Sequence, residues 1–132
     1  VVHYLDTSAL VKFVIDEPGS AALREWAARS DVSLISSDLA RTELLRAVRR
    51  VHPDRAALAH TVLERIDLLH LTAADFDAAG RIGPDELRFP DALHLVAALA
   101  LGDDLETMVV YDERLASAAQ LNGVTVSAPG LA

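Results

Sequence analysis

Asp6 and Asp112 each follow a short apolar, β-branched run, Val1-Val2-His3-Tyr4-Leu5 in the first case and residues 107–111 in the second. Such runs read as strands, and in a parallel α/β sheet ligands bind at the carboxyl edge of the strands. Two more acids lie in helical surroundings. Glu43 has Leu39, Ala40, Arg46 and Ala47 one turn away. A carboxylate on that largely apolar stripe is costly unless a metal or an arginine compensates it. Asp91 opens the stretch Ala92 to Leu101, which is apolar apart from His94. Taken singly, each acid has a plain alternative: a cap or turn for Asp6 and Asp112, a surface ion pair with Arg46 for Glu43, and the helix dipole for Asp91. Taken together they are four hard oxygen donors, suited to Mg2+ or Mn2+.

Positioning four acids requires a scaffold, and its elements can be read from the chain. Apolar β-branched runs alternate with helical patterns throughout, the signature of βα units feeding a mainly parallel sheet. Strands are predicted at residues 1–5, 33–36, 67–71, 107–111 and 124–127. Ser20 is the predicted cap of a helix to about Arg29, with Leu23, Trp26 and Ala27 inward. Asp38 is the predicted cap of a second, with Leu44, Leu45, Val48 and Val51 inward and its end before Pro53. A third helix after Asp54 carries Leu58, Val62 and Ile66. Thr72 and Asp75 open a fourth through a capping box, and a turn follows at Gly83-Pro84. A fifth runs from about Pro90 to Leu101 and stops at Gly102. The sixth spans roughly Glu113 to Leu121.

Composition narrows the function further. Of 132 residues, 52% are hydrophobic, enough to offset the entropy of ordering one core. One domain over residues 1–132 is expected. The absence of cysteine removes disulfides, thiolate metal sites and Cys nucleophiles together. His3, His52, His60, His70 and His94 show no pairing at ligand spacing and read as structural or surface residues, and Trp26 and Phe76 as core or partly buried ones. The apolar run before Gly102 is far short of the roughly 20 residues of a membrane span, and no charged leader with an apolar segment opens the chain. A cytoplasmic protein without a membrane partner is expected. The net charge of −8 runs against a polyanionic partner. Yet Arg41, Arg46, Arg49, Arg50 and Arg55 concentrate positive charge in one short segment.

The segments Leu5-Asp6-Thr7-Ser8-Ala9-Leu10, Asp38-Leu39-Ala40-Arg41-Thr42-Glu43, Phe89-Pro90-Asp91-Ala92-Leu93-His94 and Tyr111-Asp112-Glu113-Arg114-Leu115 together resemble the PIN-domain family. More narrowly, they resemble the VapC toxins of bacterial VapBC toxin–antitoxin systems. The resemblance implies a three-layer α/β/α domain with strand order 3-2-1-4-5, which brings Asp6 and Asp112 together. It implies that Glu43 and Asp91 arrive from flanking helices to complete a tetrad around Mg2+ or Mn2+, and that the protein is an endoribonuclease. Ser8 matches the hydroxyl or amide position after the first acid, and Arg114 the basic position after the fourth, both on the substrate side. Many relatives carry Thr two residues before the last acid, where this chain has Val110.

The resemblance also implies partners: an RNA substrate, a VapB-like antitoxin that lays an arginine into the acidic cleft, and a second copy of the chain in a homodimer. The arginines of residues 41–55 would then line a shared groove. Competing readings are a non-toxin PIN-like nuclease, a non-catalytic metal-binding interaction domain, and an aspartate-based phosphatase using Asp6 as nucleophile. The last lacks a second Asp two residues on, where Ser8 stands.

Overall fold

The computed structural model describes residues 1–131. Its five strands are β1 (Val2–Leu5), β2 (Leu34–Ser37), β3 (Asp67–Leu69), β4 (Leu105–Val109) and β5 (Val126–Ser127). They form one parallel sheet in the order β3-β2-β1-β4-β5, as the resemblance implies. Successive side chains on a strand point to opposite faces, so each strand feeds two cores. Leu5 and Val109 face one cluster with Leu10, Leu23, Leu44 and Leu63, and Tyr4, Ile35 and Met108 face another with Leu95, Leu115 and Val124. Helices cover both faces, giving three layers.

The helices that position the four acids are α1 (Thr7–Val14), α3 (Leu39–Val51), α6 (Phe89–Leu99) and α7 (Glu113–Leu121); α2 (Ser20–Ala27), α4 (Ala56–Glu64) and α5 (Ala73–Ala79) complete the layers. The helix α1 has no counterpart among the predicted elements. Its apolar run, Ala9 to Val14 broken by Lys12, is too short to show a clear helical stripe, and its buried side, Ala9, Leu10 and Val14, packs in the cluster shared with α3 and α4. Thr72 and Asp75 do form the predicted capping box of α5. Among the described residues no helix is long and apolar enough to cross a membrane.

Four local expectations are corrected. Ser20 lies inside α2 rather than capping it: Gly19, at φ 93°, takes the cap position, while the Ser20 hydroxyl accepts from the Glu17 amide and donates to the Ile15 carbonyl. Asp38 stands before α3 but gives its oxygens to Arg41 and His70 instead of the helix amides. Val51 is exposed, because α3 ends there. On α4 the buried stripe is Ala59 and Leu63, one position on from the expected Leu58, which is exposed.

Candidate active site

The two central strands bring their carboxyl ends side by side. Leu5 pairs with Val109, and the Asp6 amide donates to the Val109 carbonyl at 3.4 Å. Asp6 caps α1, its Oδ1 accepting from the Ala9 amide at 3.2 Å and from the Ser8 hydroxyl at 2.6 Å. The Ser8 oxygen also accepts from the Tyr111 amide at 3.0 Å, so one hydroxyl ties the end of β1 to the end of β4. Asp112 caps α7 through Oδ1, which accepts from the Arg114 and Leu115 amides. The capping reading therefore holds for both acids and still leaves Oδ2 of each without a hydrogen-bond partner among the described residues.

Asp6 is only 4% exposed. Burial, helped by the negative charge of Asp91, pushes its carboxyl up to about 6, against the pull of His94, Ser8 and the Ala9 amide. Asp91 sits in the first turn of α6 with Arg88 Nε at 3.7 Å from Oδ2. Burial raises its pKa as well, and the charges of Asp112 and Glu43 add to the effect while Arg88 and His94 oppose it. Asp91 thus feels the other three acids, which makes one electrostatic site of residues scattered over 107 positions, from 6 to 112.

Glu43 reaches in from α3, and its Oε1 accepts from Thr7 Oγ1 and from His94 Nε2, both at 2.6 Å. Burial works to raise its pKa, but these bonds and the charges of His94 and Arg88 outweigh it and hold the carboxyl below its usual range. Beside the acids opens a cleft of about 390 Å³, lined by Glu86, Leu87, Arg88, Asp91, Asp112, Glu113 and Arg114. Among the described residues no three acidic or imidazole groups converge tightly enough to hold one ion between them as placed. Each carboxylate leans instead on protein donors.

Comparison with known proteins agrees with this geometry. The family model described as PIN domain matches residues 3–121. The chain belongs to the PIN-domain family. It is 40% identical over 126 residues to Ribonuclease VapC46 of Mycobacterium tuberculosis, covering 96% of each chain. To Ribonuclease VapC35 of the same species it is 39% identical over 132 residues, covering 98% of each. Among solved structures it is similar to M. tuberculosis VapC20, described as a sarcin–ricin loop cleaving toxin, with a TM-score of 0.74 at 18% identity over 88% of this chain and 94% of that one. It is also similar to VapBC2 of Rickettsia felis, solved with a fragment of promoter DNA, with a TM-score of 0.68 at 14% identity over 98% and 99% of the two chains. At those identities the solved structures speak for the fold, and the curated relatives make this a PIN domain of the VapC type.

Within this PIN domain several site residues carry no signal that composition or periodicity reveals. Glu43 does not pair with Arg46, which is exposed; it turns to His94, a residue whose sequence context reads as structural. His94 is 1% exposed and stands three residues after Asp91, so one face of α6 presents both groups. That spacing is the signal available in the sequence. Thr7 and Arg88 are likewise unforeseen. Arg114 is exposed at the rim of the cleft, and Ser8, already engaged with Asp6 and Tyr111, lines a neighbouring depression with Lys12, Arg50 and Asp112. Val110 packs into the Tyr4, Met108 and Leu115 core.

Proposed function

We propose that this protein is a metal-dependent endoribonuclease, the toxin half of a type II toxin–antitoxin pair, with Asp6, Glu43, Asp91 and Asp112 as its catalytic and metal-binding carboxylates. The observation that carries this reading is the placement of Asp6 and Asp112 at the paired carboxyl ends of β1 and β4 with Asp91 lining the same cleft as Asp112, within a PIN domain 40% identical to a ribonuclease. The donor set fits a hard divalent cation, Mg2+ or Mn2+. Asp6 and Asp91, whose carboxyls are raised by burial and by like charge, bear a cost that such a cation offsets. When bound, the ion supplies an acidified water and neutralises charge on the phosphate.

The chain's own residues do the rest. Ser8 holds Asp6 and the Tyr111 backbone in register, and Glu43 and Asp112 serve as ligands or as acceptors that orient the attacking water. Arg114, at the cleft rim with Arg88, is suited to a phosphate oxygen. On α3, Arg46, Arg49 and Arg50 are exposed and without an ion pair among the described residues, a local positive strip on a chain of net charge −8. RNA is the substrate that such a strip beside an acidic metal site favours.

We read residues 1–132 as one domain, cytoplasmic, paired with a second copy and restrained by a VapB-like antitoxin whose arginine occupies the acidic cleft. Light scattering showing a monomer at all working concentrations, or full activity after co-expression with the neighbouring antitoxin, would remove those two assignments. The function itself is tested by incubating the protein with total RNA and, in parallel, a generic phosphate ester, in Mg2+, Mn2+ or EDTA. Cleavage of RNA alone, dependent on metal and lost in Asp91→Asn, is expected. Ester hydrolysis would indicate a phosphatase, and metal binding without either activity an interaction domain.

A further inference from the structure

A deeply buried polar network stands behind Glu43. Tyr4 is fully buried, and its hydroxyl lies 2.7 Å from His94 Nδ1 and 3.0 Å from Ser37 Oγ. The two rings meet edge to face, with centroids 5.8 Å apart at 68°. From the other side of the imidazole, Nε2 meets Glu43 Oε1 at 2.6 Å, and Thr7 Oγ1 stands 3.2 Å away. A carboxylate only accepts, so the proton of that bond sits on Nε2, and Nδ1 is left to the Tyr4 hydroxyl. The imidazole is fixed at both nitrogens, in a pocket where no polar atom is left unsatisfied.

We propose that His94, anchored by Tyr4 and assisted by Thr7, is a positioning residue that pins Oε1 of Glu43 and leaves Oε2 as the one oxygen available to the metal site. Both donors converge on Oε1, and among the described residues Oε2 has no hydrogen-bond partner. Holding the carboxylate this way fixes its torsion without consuming the oxygen that has to act. The two acids of the helical layers become mechanically linked: α6 carries Asp91 directly and, one turn later, carries the residue that sets Glu43. Strand β1 joins in, supplying Tyr4 from its interior and Asp6 from its end. A buried histidine that merely filled its pocket would need no second donor on the same oxygen. This inference rests on the nuclease reading for its activity arm but not for its metal arm.

The test compares parent, His94→Phe, His94→Gln and Thr7→Val, each also in a Glu43→Gln background. Mn2+ affinity is read by electron paramagnetic resonance, and kcat and KM on a defined RNA. Phe keeps the ring and removes both nitrogens, whereas Gln keeps a donor toward Glu43. Loss of a supporting hydrogen bond to a metal-site group costs about 10–100-fold in affinity or activity. His94→Phe is expected to lose Mn2+ affinity and kcat in that range with KM little changed, and His94→Gln to recover most of it. In the Glu43→Gln background His94→Phe should cost less than about twofold more. Thr7→Val, at a partly buried surface site, should show a smaller loss with the same dependence on Glu43, and it serves if His94→Phe fails to fold. Equal Mn2+ affinity in parent and His94→Phe, or losses that multiply in the Glu43→Gln background, would overturn the proposal. A parent that binds Mn2+ with this His94 dependence yet cleaves no RNA would support the positioning role and overturn the nuclease reading alone.

Discussion

The site has two walls of carboxylates that differ in construction, and the open cleft lies along one of them. On one, Asp6 and Glu43 are held by donors built into the fold: the Ala9 amide and Ser8 for the first, Thr7 and His94 for the second. On the other, Asp91 and Asp112 line the cleft with Arg88 and Arg114; Asp112 is held through Oδ1 by the α7 amides, but the Arg88–Asp91 contact is long, at 3.7 Å, with Arg88 mostly exposed. Glu43 and Asp91 are both partly buried, yet Glu43 is held below its usual pKa and Asp91 above it. Between these two the fixed donors decide which acid keeps its charge, whereas at the more deeply buried Asp6 burial outweighs its donors. One wall is prepared in advance and the other waits for a cation and a phosphate to complete it.

The largest effect on this contrast is expected from Asp6→Asn. Asp6 is raised from 3.8 to about 6 in the folded chain. The folded form then holds its proton longer than the unfolded one. Its contribution to stability is therefore greatest below pH 4 and declines as the pH climbs to about 6, reaching a cost on the order of 3 kcal/mol without metal. Asparagine keeps the Oδ1 acceptor that caps α1 and deletes the charge. Thermal melts of the metal-free variant should match or exceed the parent at pH 7 and lack the decline between pH 4 and 6. RNA cleavage and most of the metal-induced rise in Tm should vanish. A stability change near zero at every pH, with metal raising both proteins equally, would show that Asp6 only caps α1.

A smaller effect separates the open wall from the prepared one. Arg88→Ala removes a long, solvent-screened ion pair, so the fold should change by no more than about 1 kcal/mol. Without the guanidinium a nearby phosphate loses a partner. KM for RNA should rise about fivefold with kcat kept, and the salt dependence of KM should flatten. Steady-state kinetics at two salt concentrations decides it. If kcat falls and KM holds, Arg88 belongs with the preset donors and the contrast between the walls dissolves.

The sequence made the acids easier to read than the donors that hold them. Asp6, Asp91 and Asp112 announce themselves by following apolar runs or opening an apolar helix, because strand ends and helix starts leave local marks. The donors that hold Glu43 do not. Thr7 opens the eight-residue α1, too short for its apolar face to stand out, and Tyr4 and Ser37 look like ordinary strand residues until β1 and β2 pair. His94 meets Glu43 only when α3 and α6 approach across 51 positions, and no spacing rule reaches that far. The strand order was legible only through the likeness to a family. The sheet edge could be located from the chain itself.

Val110 offers the smallest expected effect and the finest probe of where the open wall stops. The family resemblance sets up an expectation of threonine at this position, where a hydroxyl would support Asp112. Here the Val110 side chain is 2% exposed and packs with Tyr4, Leu115 and Val124, on the far side of the sheet from Leu5 and Val109, while its amide donates to the Ser127 carbonyl. Asp112 meanwhile gains its hydrogen bonds from the α7 amides without help from position 110. Val110→Thr trades a buried methyl for a hydroxyl in an apolar pocket, a change worth about 1–3 kcal/mol of destabilisation when no partner is found. Urea melts should register that loss, while kcat, KM and Mn2+ affinity stay within about twofold of the parent at temperatures where both are folded. A several-fold gain in kcat at unchanged or improved stability would mean that the new hydroxyl reaches Asp112, and that the open wall extends one strand residue deeper than its packing indicates.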